Sequence, residues 1–430
     1  MALMEHPTET VFTIAMTPLK FGPGVTNEVG YDLKRLGVKK ALIITDENLS
    51  EMGLADRVKG IIEGEGVKAD IFDGVHIEPT DKSMAEAVKF AEGRGYDGFV
   101  GLGGGSVMDT AKAIDLFTTY PAPLMDYVNK PIGKALPVPG PLKPLIAIPT
   151  TAGTGSESTP VIVLDFLDLK LKSGISHPYI RPTLAVVDPL NTLSLPPEVT
   201  AASGMDVLTH ALESYTNKPY NTRPRPATPG ERPSYVGANP VSDVWCEKAI
   251  ELGGKYLRRA VMNGYDLEAR ANMMLACTCA TVGFSNAGVH IPHSMGYPIA
   301  GMVKDYIPPG YKIDYPLIPH GIAVTVGAPA AFRFTAPARP ESHAKAAGLL
   351  GARTEGLSTL EAAASLSEAL ISLMRDINFP SGVGALGYVE EDIPALAEGT
   401  LKQQRLLVGS PRTVGKRELE QIFKDAMAYW

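Results

Sequence analysis

An aspartate and a histidine four residues apart, Asp206 and His210, stand in the segment Gly204-Met-Asp-Val-Leu-Thr-His-Ala-Leu-Glu-Ser-Tyr215, and two more histidines follow at His293 and His320. On a helix, residues i and i+4 share a face, so both side chains can reach one ion. His293 lies in Val-His-Ile-Pro-His-Ser-Met-Gly and His320 in Leu-Ile-Pro-His-Gly. Three imidazoles and one carboxylate form a nitrogen–oxygen set without thiolate. Such a set suits Fe(II), Zn(II) or Mn(II) and leaves room for a substrate oxygen. An Asp–His pair on one helix also fits a simple hydrogen-bonded pair, so its meaning depends on the rest of the chain.

Two loops could hold a nucleotide. Gly103-Gly-Gly-Ser106 follows the run Gly98-Phe-Val-Gly-Leu102 and opens a helical stretch. Small residues let backbone amides approach a phosphate, and a helix N-terminus adds positive potential. The spacing is not the dinucleotide fingerprint with glycine at the first, third and sixth positions. A tight turn capped by Ser106 is the alternative. Pro149-Thr-Thr-Ala-Gly-Thr-Gly-Ser-Glu157 also follows an apolar run, and Thr150, Thr151, Thr154 and Ser156 concentrate hydroxyl donors in it. Asp46 ends the run Ile43-Ile-Thr45. A carboxylate there either binds the ribose hydroxyls of NAD or caps the helix that starts near Leu49.

Alternating elements must position these groups. Lys40–Thr45, Ala69–Phe72, Gly98–Leu102, Leu145–Ile148 and Leu184–Val187 read as buried strands, and Leu49–Glu63, Lys82–Gly93 and Val107–Thr118 read as helices between them. This alternation predicts a parallel sheet with helices on both faces. After Pro196-Pro197 the strand signal fades. Val199–Tyr215, Ser242–Val261, Leu267–Phe284, Ser358–Asp376 and the segment from Arg417 carry helical periodicity. The expected division is an α/β domain over residues 1–195 and an all-α domain over 196–430. Asn217–Pro240 holds six prolines with Arg223, Arg225 and Arg232, and cannot be a helix; it is an ordered excursion or a lid.

At 430 residues the chain is long enough for two domains with substantial cores. A formal net charge of −7 offers no basic footprint for nucleic acid. No apolar run approaches the roughly 18–20 residues of a membrane span. The N-terminus lacks the pattern of a secretory or transit peptide. Cys246, Cys277 and Cys279 are too few for a disulfide framework and read as reduced core residues. The expectation is a cytoplasmic protein acting on a small molecule, with neither nucleic acid nor membrane as partner.

The Gly-Gly-Gly-Ser loop, the Pro149–Glu157 loop, Asp-xxx-His and Pro-His-Gly occur in the order seen in the iron-containing (group III) alcohol dehydrogenase family. The chain resembles that family from Phe21-Gly-Pro-Gly24 to about Phe332. The resemblance implies an N-terminal dinucleotide-binding α/β domain and a helical metal-binding domain, a dehydroquinate synthase-like fold. It implies Fe(II), with Zn(II) as the alternative, held by Asp206, His210, His293 and His320. It also implies NAD, with Gly103, Gly104, Gly105 and Ser106 on the pyrophosphate, Thr150, Thr151 and Thr154 lining the cofactor, and Asp46 on the adenosine ribose. Asp109 is carried over as a second contact near the phosphate loop and Lys172 to the nicotinamide ribose. A homodimer is a family-level expectation.

Gly283-Phe-Ser-Asn-Ala-Gly-Val-His290, His293-Ser-Met-Gly-Tyr-Pro298, Ala211-Leu-Glu-Ser-Tyr-Thr216, Glu78-Pro-Thr-Asp81 and Leu169–Ile175 look like one branch of the family. That branch passes a hydride from 4-hydroxybutyrate to 2-oxoglutarate through NAD that stays bound. The alternative within the family is an NAD-dependent dehydrogenase of primary alcohols, diols or 4-hydroxybutyrate. Many members carry a second histidine four residues after the third ligand; here that position is Tyr297. Proton transfer is therefore open between Tyr297 and His290, which precedes His293 by three residues. Acidic substrates need cations, and Arg223, Arg225 and Arg232 are the candidates.

Overall fold

The structure is a computed structural model that describes residues 8–169 and 171–430. It divides into two compact units: residues 16–195, and Pro196–Trp430 joined by the described N-terminal residues up to Ala15. The expected boundary assigned the whole of 1–195 to one domain. The described residues up to Ala15 instead cluster with the helical unit, where Glu9 is buried against Arg232 at 2.8 Å.

The α/β unit holds a six-stranded, all-parallel sheet whose strands run, from one edge to the other, Leu19–Phe21, Leu184–Val187, Leu145–Pro149, Gly98–Gly103, Lys40–Ile44 and Lys68–Phe72. In chain order these are β1 (Leu19–Phe21), β2 (Lys40–Ile44), β3 (Lys68–Phe72), β4 (Gly98–Gly103), β5 (Leu145–Pro149) and β8 (Leu184–Val187). Parallel strands covered on both faces read as unbroken apolar runs. In β2, Ala41 and Ile43 pack into one core with Val100 and Leu102, while Leu42 and Ile44 pack into the opposite one with Phe99. Two antiparallel strands, β6 (Val161–Phe166) and β7 (Leu171–Ser176), form a separate hairpin. Neither the hairpin nor the short β1 was expected from the sequence. The segment expected as one helix from Leu49 to Glu63 is two, Glu47–Glu51 and Leu54–Gly64. Gly53, at φ 75°, adopts the left-handed conformation that separates them.

Beyond Pro196, within the helical unit, the long helices are Pro197–Thr216, Pro240–Met262, Leu267–Ala287 and Thr359–Asp376. Pro197 and Pro240 each occupy the first turn, where a missing N–H costs nothing. Asn239 caps the second of these helices by accepting from Ser242 N–H at 3.0 Å. Among the described residues no single helix is long and apolar enough to cross a membrane.

The Asn217–Pro240 excursion contains two short turns, Tyr220–Thr222 and Pro229–Glu231. It is tied down on several sides. Arg223 donates to the Tyr235 carbonyl, Val236 N–H to Asn286 O at 2.8 Å and Gly237 N–H to Ala287 O at 3.0 Å.

Candidate metal centre and nucleotide-binding edge

Asp206, His210, His293 and His320 converge, with one ligand atom from each lying within 4.8 Å of all the others. Asp206 and His210 sit one turn apart on the helix Pro197–Thr216. His293 lies in the first turn of the helix Ile291–Gly301, and His320 opens the short helix His320–Thr325. Gly321 explains the Pro-His-Gly sequence: a Cβ there would run into the Ala202 carbonyl and lie 3.2 Å from Asp206 Cβ. Only a residue without a side chain lets His320 approach the aspartate helix so closely.

The donors fit a cation. His210 Nε2 and His293 Nε2 are 2.9 Å apart, and Asp206 Oδ1 lies 3.8 Å from His293 Nε2 and 3.9 Å from His320 Nε2. Bonds of about 2.1 Å to one ion place neighbouring ligand atoms about 3.0–3.5 Å apart, and the observed spacings bracket that range. Two imidazole Nε2 atoms face each other at 2.9 Å, as ligands of one shared cation would, while His210 Nδ1 lies 3.4 Å from Asp206 Oδ1. Asp206, His210 and His293 are buried, whereas the His320 side chain is 24% exposed. Phe284 stacks on His210 with ring centroids 4.0 Å apart. Burial, reinforced by His293 and His320, holds His210 well below the ordinary imidazole pKa.

Glu213 was missed by the sequence reading. It lies seven residues after Asp206 on the same helix and is fully buried. One oxygen accepts from the His290 N–H at 2.8 Å and the His293 N–H at 3.2 Å, and the other meets His293 Nδ1. A carboxylate behind a metal-binding imidazole keeps its proton on the far nitrogen and turns the lone pair toward the ion. Burial opposes protonation of His293, but Glu213 outweighs it and raises the imidazole above its ordinary value. The i, i+4, i+7 spacing of Asp206, His210 and Glu213 was the available signal.

His290 does not present a ring nitrogen to this cluster. It caps the helix Ile291–Gly301, with Nδ1 accepting from Ile291 N–H at 2.8 Å. Its proton therefore sits on Nε2, 3.1 Å from Thr216 Oγ1, whose own proton goes to the Leu212 carbonyl at 2.7 Å. Burial pushes its pKa down to about 4. Tyr297, one turn beyond His293, is buried, and its hydroxyl accepts from Arg405 at 2.8 Å. The three arginines of the excursion are placed differently from the expectation. Arg232 pairs with Glu9, Arg223 holds the Tyr235 carbonyl and Arg225 is exposed.

The nucleotide candidates gather at the C-terminal edge of the sheet, where open α/β sheets bind ligands. β4 pairs with β2 on one side and β5 on the other, with Gly103 opposite Pro149. Asp46, the Gly103–Ser106 loop and the Thr150–Thr154 loop therefore leave adjacent strands side by side. Gly104 precedes the helix Gly105–Thr119, and Thr150 N–H donates to Gly103 O at 3.1 Å. A Cβ on Gly105 would sit 2.7 Å from Thr154 Oγ1, and one on Gly104 would sit 3.6 Å from the Thr151 side chain. The loops are thus in contact, and Gly105 is needed for that approach.

The charged candidates have structural partners. Asp46 caps the helix Glu47–Glu51, accepting from Leu49 N–H at 3.1 Å, and burial raises its pKa. Ser106 Oγ accepts from Glu78 N–H at 3.1 Å. Asp109 is buried and accepts from Lys112 at 3.1 Å, from Val163 N–H at 2.8 Å and from Ser156 Oγ. The fully buried Lys112 also donates to Ser156 Oγ at 2.6 Å and Val161 O at 2.8 Å, so this pair locks the Thr150–Glu157 loop to the glycine-loop helix. Lys172, on β7, pairs with Glu78 and lies 3.6 Å from Asp165.

Residues 17–189 match the family model described as iron-containing alcohol dehydrogenase, and residues 231–427 match the model of that family's C-terminal part. The chain belongs to the iron-containing alcohol dehydrogenase family. It is accordingly an oxidoreductase, with the two-part fold of that family. The hydroxyacid-oxoacid transhydrogenase of Mus musculus, named as mitochondrial, is 47% identical over 97% of this chain and 90% of its own length. The Xenopus tropicalis protein of the same name is 48% identical over 98% of this chain and 91% of its own. Among solved structures, a 1,3-propanediol oxidoreductase superposes with a TM-score of 0.85 at 33% identity, covering 97% of this chain and 100% of that one. A sulfoacetaldehyde reductase from Bifidobacterium kashiwanohense in complex with NAD+ gives 0.81 at 25%, covering 97% and 99%.

One expectation is corrected by these family members. The cytoplasmic location is overturned by the transhydrogenases, whose names place them in mitochondria. Three free thiols do not separate one reducing compartment from another.

Proposed function

We propose that this enzyme is a hydroxyacid–oxoacid transhydrogenase that moves a hydride from 4-hydroxybutyrate to 2-oxoglutarate, giving succinic semialdehyde and 2-hydroxyglutarate. The observation that carries this reading is a complete Asp–His–His–His cluster in a chain 47% identical, nearly end to end, to proteins of that name. When bound, iron (or zinc) supplies Lewis acidity toward a substrate oxygen and NAD supplies the hydride carrier.

Asp206, His210, His293 and His320 hold the ion, and Glu213 fixes the His293 tautomer. The Gly103–Ser106 amides and the N-terminus of the helix Gly105–Thr119 receive the pyrophosphate. Thr150, Thr151 and Thr154 line the cofactor. Asp46 faces the adenosine ribose while capping its helix. Asp109 and Lys172 act from behind the loops, by holding Ser156 and Glu78. His290 serves as a neutral cap, which leaves Tyr297 as the better placed of the two proton-transfer candidates. Residues 16–195 are the NAD domain and Pro196–Trp430 the metal domain. A net charge of −7 favours a small-molecule partner over nucleic acid, and the enzyme works as a homodimer without a membrane.

The test is mass spectrometry of products after mixing protein, 4-hydroxybutyrate and 2-oxoglutarate without added NAD. 2-Hydroxyglutarate should accumulate over many turnovers, with ping-pong kinetics. The similarity to 1,3-propanediol oxidoreductase supports a second reading, an NAD-consuming alcohol dehydrogenase. Product formed only in proportion to added NAD would select that reading.

A further inference from the structure

Arg405 lies in the short helix Gln404–Leu407 and is half-buried. Its guanidinium donates to the Tyr297 hydroxyl at 2.8 Å and to the Tyr235 hydroxyl, and it sits 5.9 Å from the Tyr297 ring centroid. Both partners are hydroxyls. Among the described residues no carboxylate forms an ion pair with Arg405, and it lacks the backbone carbonyl that holds each of Arg223, Arg270 and Arg339. A partly desolvated cation without a counter-charge is costly unless a ligand supplies one.

The surroundings point the same way. Tyr297 follows His293 by one turn of the same helix. Phe284, which stacks on His210, belongs to one apolar cluster with Val289, Tyr297, Leu406 and Tyr235. An apolar wall therefore leads from the metal ligands to a guanidinium flanked by two hydroxyls. That combination recognises a carboxylate on a short hydrocarbon stem.

We propose that Arg405, positioned by Tyr297 and Tyr235, is the anchor for the substrate carboxylate remote from the reacting carbon; this rests on the transhydrogenase reading. In 4-hydroxybutyrate two methylenes separate the carbinol carbon from the carboxylate. The same two methylenes separate the carbinol carbon of 2-hydroxyglutarate from its distal carboxylate. One anchor at one distance from the metal thus serves both half-reactions, which is what a single-site enzyme with two different acids requires. The excursion contributes indirectly, because Arg223 holds the backbone of Tyr235.

The test compares the wild type with Arg405→Gln and Tyr297→Phe. KM and kcat are measured for 4-hydroxybutyrate, for 2-oxoglutarate and, with added NAD, for 1,4-butanediol, beside iron content and thermal midpoint. Arg405→Gln should raise KM for both acids about 100-fold, the usual effect of stripping a carboxylate of its buried cationic partner. The acid-to-diol ratio of kcat/KM should fall by a similar factor. Tyr297→Phe, which keeps the ring, should raise both acid KM values about tenfold, and it carries the test if Arg405→Gln does not fold. Acid KM values within about threefold of wild type, or an unchanged acid-to-diol ratio, would overturn the anchor. A wild type that makes no 2-hydroxyglutarate without NAD would instead sink the transhydrogenase reading, so the two failures are distinguishable.

Discussion

The metal centre and the nucleotide edge are built on opposite principles. At the candidate metal centre, side chains would do the binding and helices supply the spacing: Asp206, His210 and Glu213 share one helical face, and the helices starting near His293 and at His320 add one candidate ligand each. At the candidate nucleotide edge, backbone and loop contact would do the work, and the side chains that look chemical have duties inside the protein. Asp46 caps a helix, Asp109 anchors Ser156, and Lys172 pairs with Glu78. A side-chain site should therefore fail sharply on single substitutions, and a backbone site gradually.

The sharpest break is at the ligands. Asp206→Ala or His210→Ala should remove the metal and lower turnover by on the order of a thousandfold or more, checked by elemental analysis beside product assay. A variant retaining both metal and full activity would rule the site out. Glu213→Gln should be milder, because the ligands remain while the His293 tautomer is no longer enforced. Metal affinity should drop about 10–100-fold in a chelator competition; unchanged affinity would reduce Glu213 to a packing role. At the nucleotide edge, Gly105→Ala should push Thr154 aside and weaken NAD binding about tenfold, read by calorimetry, with metal content unaltered. Loss of metal in this variant would show that the two sites fail together. The smallest effect belongs to Asp46→Ser, which keeps an N-cap while removing the charge. Stability should change by only about 0.5 kcal/mol, and the NADP-to-NAD preference should rise severalfold. No change in preference would leave Asp46 a cap alone.

The same contrast explains what was legible in the sequence. Central strands such as β2 and β4 were readable because burial on both faces demands unbroken apolar residues. The β6–β7 hairpin was not, since Val161–Phe166 includes Asp165 and the partner strand includes Lys172, whose charges make sense only once paired. The four metal candidates were readable from residue type and helical spacing. Glu213 was on the page at i+7, but nothing local says that its partner lies 80 residues away. Arg405 was out of reach for the same reason, being separated from Tyr297 by 108 residues. The arginines of the excursion were candidates for the acid because a guanidinium suits a carboxylate, whereas the fold spends Arg223 and Arg232 on holding the excursion in place.

The pairing of Glu9 with Arg232 has a consequence for biosynthesis. The unit spanning 16–195 is continuous in sequence and can assemble while the chain is being made. Glu9 cannot meet its partner until 223 more residues have been added. At roughly 5–20 residues per second, that wait is on the order of 10–45 s. Throughout it Glu9 stands without its native cation, and its capture waits on the helical half rather than on the unit already made.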